Sequence, residues 1–433
     1  MNRNITTDLI QWKNKDNRKP LILDGARQVG KTWVLKEFGR TEFQDTVYIN
    51  CDQNEKIREI FSGSFDIPSI ISKLEIYSRQ KIEKKSTLII FDEIQEIPPV
   101  LTSLKYFCED GREYYVAAAG SLLGLSLHAG TGFPVGKVDL FHLYPMSFSE
   151  FVLAVRGENL CKYLLNEPFE NLASFHTEFK ELLRQYYFTG GMPEAVLAFS
   201  ENRSVEEIRT IQKAILYSYE KDISKHADPK DIQRIHLVWN SIPHQLAKEN
   251  RRFIYGAIKH GARSKDFETA IQWLVEAGLV HKISRIKKAC LPLKFYEDFD
   301  SFKLFILDCG LLGAIVETPP ENILIGDNIF EEYKGAFTEQ FVLEQLLNLK
   351  NTSCWYFSAD DSKQELDFLL QNGSRIIPVE VKAEENLRAK SMRQFSLDNG
   401  IHGIRFSMSQ YREQDWMTNV PLYAVERVLE LNK

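Results

Sequence analysis

The 433-residue chain has only six cysteines, Cys51, Cys108, Cys161, Cys290, Cys309 and Cys354, and no two of them form a C-x-x-C pair. That scatter argues against a zinc ribbon and a disulfide framework and leaves reduced interior thiols as the expectation. No stretch approaches the ~20 consecutive apolar residues that span a bilayer. The opening sequence, MNRNITTDLIQWKNKDNRK, lacks the apolar core of a signal peptide. A cytoplasmic protein without a membrane partner is therefore expected. Internal repeats and low-complexity tracts are missing too. So is an excess of positive charge: 54 Lys and Arg against 60 Asp and Glu give a net charge of −6. Any contact with nucleic acid must then come from a local patch and not from the whole surface.

What is present is an ordinary globular composition, 44% hydrophobic and 26% charged, in a chain too long for one small core. The first third alternates β-rich runs with helical patterns. PLILDG, TVYIN, TLIIFDE, YYVAAAG and VDLFHL are the strand candidates, and IPSIISKLEIYSRQ is a helix between two of them. Continuous apolar strands separated by helices indicate a parallel sheet covered on both faces. After PMSFSEF the pattern turns helical, with FHTEFKELLRQYYFTGG and SVEEIRTIQKAILYSYEKDI as capped, periodic segments. From about Asp228 to Lys294 several short helices are expected, and beyond Phe295 the chain returns to mixed α and β.

GARQVGKT, Gly25 to Thr32, fits G-x-x-x-x-G-K-[ST] at every fixed position, with a strand (LILD) entering and a helix (TWVLKEF) leaving. Such a loop lets backbone N–H groups wrap phosphates at a helix N-terminus. Gly25, Ala26, Arg27, Gln28, Val29, Gly30, Lys31, Thr32 and the following Trp33 are thus candidate contacts to ATP. Lys31 would reach the β- and γ-phosphates, and the Thr32 hydroxyl would ligate Mg²⁺. TLIIFDEIQ supplies the complement: Asp92 ends a buried strand where the magnesium shell needs a carboxylate, and Glu93 can orient the attacking water. Lys31, Asp92 and Glu93 are the candidate catalytic residues for hydrolysis. Ser121, at the end of YYVAAAGS, is a candidate γ-phosphate sensor or a helix N-cap.

Taken together, GARQVGKT, LIIFDEIQ, AAGS, YPMSFSEF, GGMPEAV and YKGAFTEQFV resemble a group of prokaryotic AAA-superfamily ATPases whose C-terminal part is known as domain of unknown function 4143. The resemblance runs through nearly the whole chain in the same order. It implies an α/β multidomain protein: a P-loop, parallel-sheet AAA-type ATPase core (1–155), a helical lid (156–227), a winged-helix-like middle (228–300) and an α+β, restriction-endonuclease-like C-terminal domain (301–433). It also implies that Pro193 of GGMPEAV packs near the adenine, although a plain loop between helices explains that proline equally well. Relatives commonly show Gly-Arg where this chain has Gly136-Lys137. Lysine lacks the forked guanidinium of an arginine finger, so supply from a neighbouring subunit, and hence a homo-oligomer, is plausible.

Two further segments carry chemistry. From Lys248 to Lys294 there are eleven Lys or Arg against four Asp or Glu, a local reversal of sign. RSKDFETAIQWLVEAGLVHKISRIKK reads as a helix, a turn at Gly278 and a β segment, the order of a winged-helix recognition helix and wing. Arg263, Lys265 and the cluster from Arg285 to Lys288 would then face DNA, although such modules also bind proteins. In QELDFLLQNGSRIIPVEVKA, a turn at Asn372-Gly373 sets Asp367 and Glu380 on paired strands, and Lys382 shares a face with Glu380. Asp367, Glu380 and Lys382, with Glu339 from the preceding helix, form a candidate second metal site resembling the D…E-x-K signature of restriction-endonuclease-like proteins. An edge hairpin with an outward ion pair is the plainer alternative.

Overall fold

The computed structural model of the chain describes residues 2–128, 133–248, 252–324, 331–359, 364–383 and 389–431. It divides into two compact units, Met1–Tyr144 with Glu276–Gly278, and Pro145–Val275 with Leu279–Lys433. Among the described residues, no helix is long and apolar enough to cross a membrane.

The first unit is built on five strands, β1 (Leu21–Asp24), β2 (Asp45–Asn50), β3 (Thr87–Asp92), β4 (Tyr115–Ala119) and β5 (Asp139–His142), which coincide with the five predicted runs. All pair in parallel, in the order β2-β3-β4-β1-β5. Every residue of β3 is buried, as a strand covered on both faces requires. The predicted helix over IPSIISKLEIYS is present as Ile67–Ser78, with the Asp66 side chain accepting from Ser69 N at 2.9 Å and a proline in its first turn. Ile22, Ile49, Ile89 and Phe91 of the sheet pack in one cluster with Ile70, Leu74, Leu104 and Phe107 of the covering helices. Truncating one of these aliphatic side chains to alanine costs about 2–5 kcal/mol. The strand order has a consequence for the site. β1 and β3, which end in the two motifs, are not neighbours; β4 runs between them and brings Gly120 and Ser121 to the gap.

The second unit opens with helices. Phe148–Arg156 and Val205–His226 each begin in a capping box, Ser147 with Glu150 and Ser204 with Glu207. The expectation of several short helices after Asp228 is corrected here. One 18-residue helix, Pro229–Leu246, runs through Pro243. Ile235, Val238, Trp239, Ile242 and Leu246 hold the three- and four-residue spacing throughout and are all buried, so packing carries the helix past the proline.

The remaining strands, β6 (Val280–Ile286), β7 (Glu297–Ile306), β8 (Thr352–Ser358), β9 (Glu365–Asn372), β10 (Arg375–Val381), β11 (Gly403–Ser407), β12 (Arg412–Gln414) and β13 (Met417–Pro421), form one mixed sheet in the order β12-β13-β11-β10-β9-β8-β6-β7. β6 and β7 make the antiparallel hairpin expected of a wing, yet β6 also pairs in parallel with β8, Arg285 opposite Tyr356 and Ile286 opposite Phe357. The hairpin is therefore the end of a larger sheet, held there because Ile286 shares a buried cluster with Trp355, Phe357 and Leu366. Residue 300, where a domain boundary was expected, falls inside β7. The β9–β10 turn also shifts by one residue: Asn372 pairs with Arg375, so Gly373 (φ +60°) and Ser374 form the loop. Asn372 instead donates through Nδ2 to Lys350 O, Asn351 O and Thr352 Oγ1.

Candidate nucleotide site and a second polar face

β1 delivers the chain into the glycine-rich loop, and the helix Lys31–Glu42 leaves it. Gly25 (φ +144°) and Gly30 (φ +98°) take backbone angles that favour glycine, and a Cβ on Gly25 would collide with the carbonyl oxygen of Leu143. Lys31 is buried, and its Nζ donates to Gly25 O at 2.8 Å and Ala26 O at 2.7 Å. Burial lowers its pKa to about 8, against the opposing pull of Glu93, Asp24 and Asp92. Asp24 closes the loop from the other side with a 3.3 Å contact to His142 Nδ1. Burial alone would raise the Asp24 pKa, but the bond to His142 brings it below the ordinary carboxylate value. Arg27 is half-buried, Gln28 adopts φ +68°, and Trp33 is exposed.

At the end of β3, Asp92 is buried and its Oδ2 accepts from Thr32 Oγ1 at 2.7 Å and Tyr48 Oη at 2.8 Å. Neither Tyr48 nor Gln95 was singled out in the sequence. Tyr48 lies on β2 two residues before Asn50, which pairs with Asp92; the strand alternation thus turns it toward the carboxylate. Burial and that hydrogen bond push the Tyr48 phenol well above its usual value. Glu93 stands in a left-handed backbone conformation (φ +49°, ψ +48°), and its Oε2 accepts from Gln95 Nε2 at 2.7 Å and Ser121 Oγ at 2.9 Å. Ser121 is thus joined to Glu93, which the sequence had left open. A hydroxyl and a carboxylate oxygen 2.7 Å apart form a donor set that fits Mg²⁺ retaining several waters. Lys137 is half-buried and pairs with Glu109 at 2.8 Å.

Pro193 starts the helix Pro193–Ser200 in the second unit. The two glycines before it have a packing reason: Gly191 N donates to Asp308 Oδ2 at 2.5 Å, and a Cβ on Gly190 would strike the same carboxylate. Asp308 also caps the helix Cys309–Ile315 through Leu311 N at 2.9 Å. Asp308, Cys309 and Glu344 lie together, wholly buried. Burial drives the Asp308 pKa up to about 6 and that of Glu344 well above its ordinary value. The folded state therefore holds the Asp308 proton more tightly than the unfolded chain. Its stabilising effect is full below about pH 4 and is lost as pH rises through 6, on the order of 3 kcal/mol in all. Urea melts of the wild type and Asp308→Asn at pH 4 to 7 should differ by a gap that changes over that window. A constant gap would refute the assignment.

The four residues expected to share a second metal site are only partly gathered. Lys382 Nζ lies 3.1 Å from Glu380 Oε1, and Asp367 Oδ2 accepts from Val381 N at 2.7 Å. Glu339 is buried beside Lys303, whose Nζ lies 3.9 Å from it and 3.3 Å from Glu365. Among the described residues, only Asp308, Cys309 and Glu344 bring three acidic, thiol or imidazole ligand atoms within 4.8 Å of one another. The basic cluster is corrected as well. Arg285 donates through Nε and Nη2 to Ser358 O at 2.8 and 2.7 Å and pairs with Asp298. It is spent on joining β6 to β8, whereas Arg263, Lys265, Lys287 and Lys288 are exposed.

A five-stranded parallel sheet with a glycine-rich loop after its first strand and a carboxylate pair two strands away defines the AAA-type P-loop ATPase fold. Comparison with known families agrees. An AAA domain matches residues 17–152, and the domains of unknown function DUF8612 and DUF4143 match residues 180–322 and 334–425. The chain thus carries an AAA domain and a C-terminal DUF4143 domain, in the order its motifs suggested, and the DUF8612 match in the middle was not foreseen. Among curated proteins none matches it. Similar solved structures include the Walker-type ATPase paby2304 of Pyrococcus abyssi (13% identity, 73% of this chain and 95% of that one, TM-score 0.45). Others are the Aeropyrum pernix ORC1 protein in complex with DNA (14%, 74% and 94%, TM-score 0.26) and Cdc6p from Pyrobaculum aerophilum (13%, 72% and 91%, TM-score 0.24). Likeness at these levels names neither substrate nor partner.

Proposed function

We propose that the chain binds ATP with Mg²⁺ and hydrolyses it, and that turnover is coupled to DNA binding or processing. The observation that carries the first half is the joined cluster of Lys31, Thr32 bonded to Asp92, and Glu93 bonded to Ser121. In this reading the loop from Gly25 to Gly30 wraps the phosphates and Lys31 exchanges its two carbonyl acceptors for phosphate oxygens. Mg²⁺ on Thr32 and Asp92 would supply charge neutralisation at the β- and γ-phosphates. Glu93 orients the attacking water, and Ser121 couples it to the γ-phosphate.

The second half is supported by exposed basic and aromatic groups in one stretch. Arg263, Lys265, Lys287 and Lys288 are exposed, as are Phe295 just before β7 (84%) and Phe299 within it (72%). Exposed rings beside cations suit stacking on nucleic-acid bases. The same surface favours a second reading, a regulatory switch in which these groups bind a protein. ATP hydrolysis measured with duplex, single-stranded and branched DNA separates the two. DNA should raise turnover several-fold, the effect should fade about a hundredfold in affinity between low and moderate salt, and Phe295→Ala with Phe299→Ala should weaken it. Turnover indifferent to every DNA would favour the protein-binding switch.

A further inference from the structure

Arg3 is buried, and its guanidinium spans two carbonyls that are distant from it in the chain. Nη1 donates to Val29 O at 2.9 Å, and Nη2 donates to Tyr144 O at 2.7 Å. Both acceptors border the glycine-rich loop. Val29 immediately precedes Gly30, and Tyr144 follows Leu143, whose carbonyl oxygen closes the space over Gly25. Leu143 N also donates to Asp24 O at 2.8 Å, extending the parallel pairing of β1 with β5. The chain after β5 thus fastens the loop at its entry, and Arg3 ties that same stretch to the loop's exit. The P-loop signature contains no such residue.

A loop that offers N–H groups to phosphate must turn its carbonyls the other way. In a planar trans peptide the C=O and the N–H point in opposite directions. Holding Val29 O on a guanidinium therefore directs the Gly30 N–H to the opposite side of the peptide. Gly30 benefits from such a restraint: it takes φ +98°, and with no side chain it reaches many other backbone angles as readily. The helix Lys31–Glu42 begins at the next residue, so the peptide that Arg3 holds leads directly into the helix's free N–H groups. Bonds from a charged planar fork to two acceptors are strong and directional.

The helix that follows Arg3, Ile5–Lys13, is seated by contacts of its own. Leu9 and Trp12 are buried, and the Trp12 ring lies 6.2 Å from Tyr115 and 6.3 Å from Phe38. Trp12 Nε1 donates to Lys19 O at 2.8 Å. We propose that Arg3 is a positioning residue of the nucleotide site, clamping Val29 O so that the Gly30 amide faces the polyphosphate. This assignment rests on the ATP-binding reading above. Arg3 touches no substrate atom and acts through the Val29–Gly30 peptide. The loop holds the phosphates alike before and during hydrolysis, so Arg3 contributes to KM and not to kcat.

The test titrates ADP, and separately inorganic tripolyphosphate, into the full chain with Mg²⁺ by calorimetry, with steady-state ATP hydrolysis beside it. Arg3→Met should weaken both ligands by the same factor, on the order of tenfold to thirtyfold. KM for ATP should rise in step while kcat stays within about threefold. Arg3→Lys keeps the charge but not the fork; it should recover part of the loss, and it serves if the methionine variant fails to fold. Leu9→Ala is the structural control: it loosens the helix and lowers the melting temperature, yet should leave both affinities within about twofold. Unchanged affinities in the Arg3 variants, or an equal loss in Leu9→Ala, would overturn the assignment. So would a fall in kcat at constant KM, or a loss for ADP that tripolyphosphate does not share. A parent chain that binds neither ligand would sink the ATP reading and this assignment with it. A parent that binds both while Arg3→Met binds equally well would sink the Arg3 assignment alone.

Discussion

Glu93→Gln should bind ATP within about threefold of wild type while its turnover falls 10²–10³-fold, the usual worth of a positioned proton acceptor. The substitution keeps the shape of a side chain held at the end of β3 by Gln95 and Ser121. It leaves the phosphate loop and the Thr32–Asp92 pair untouched. What it removes is the carboxylate charge that the proposed mechanism sets against the attacking water. Ser121→Ala should cost less, because Glu93 keeps its bond to Gln95 and loses only one restraint on its orientation. Phosphate release at saturating ATP, beside an equilibrium measurement with labelled nucleotide, reads both quantities. Turnover within threefold of wild type in Glu93→Gln would remove this residue from the mechanism and leave a nucleotide-binding scaffold.

Most of this site could be read in the sequence because its signals are local. Gly25 and Gly30 mark backbone angles that other residues avoid, and four consecutive apolar residues before Asp92 mark a strand buried on both faces. The contribution of Tyr48 could not be read the same way. Its bond to Asp92 depends on which strands are neighbours, and β2 and β3 are joined only through the register of distant segments. The same holds for Arg285, which looked like an exposed cation in a basic run. Only the parallel pairing of β6 with β8 gives it Ser358 O as an acceptor. Glu339 was placed with Asp367 because it lies on the preceding helix; what local pattern could not supply is Lys303, 3.9 Å from it. Periodicity located the elements, while the partners of buried charges were set by tertiary packing.

Lys31 should make nucleotide affinity strongly pH-dependent. Burial holds its pKa near 8, below the ordinary lysine value. The folded chain without ATP thus binds fewer protons than the unfolded chain between about pH 8 and 10.5. Its stability should rise with pH across that window, by up to roughly 3 kcal/mol from this group. Polyphosphate needs the ammonium form and restores the proton on binding. ATP affinity should then be nearly flat below pH 8 and fall toward tenfold per unit above it, with proton uptake measurable by calorimetry in buffers of different ionisation enthalpy. Lys31→Met separates the two roles of the side chain. Without ligand it should melt at the wild-type temperature or above, since the lost bonds to Gly25 O and Ala26 O are offset by relief of a buried charge. With ATP the wild type should gain stability by mass action and the variant should not, its affinity having dropped at least a hundredfold. A variant that melts several degrees lower yet still responds to ATP would mean that Lys31 props the loop and does not hold the phosphates.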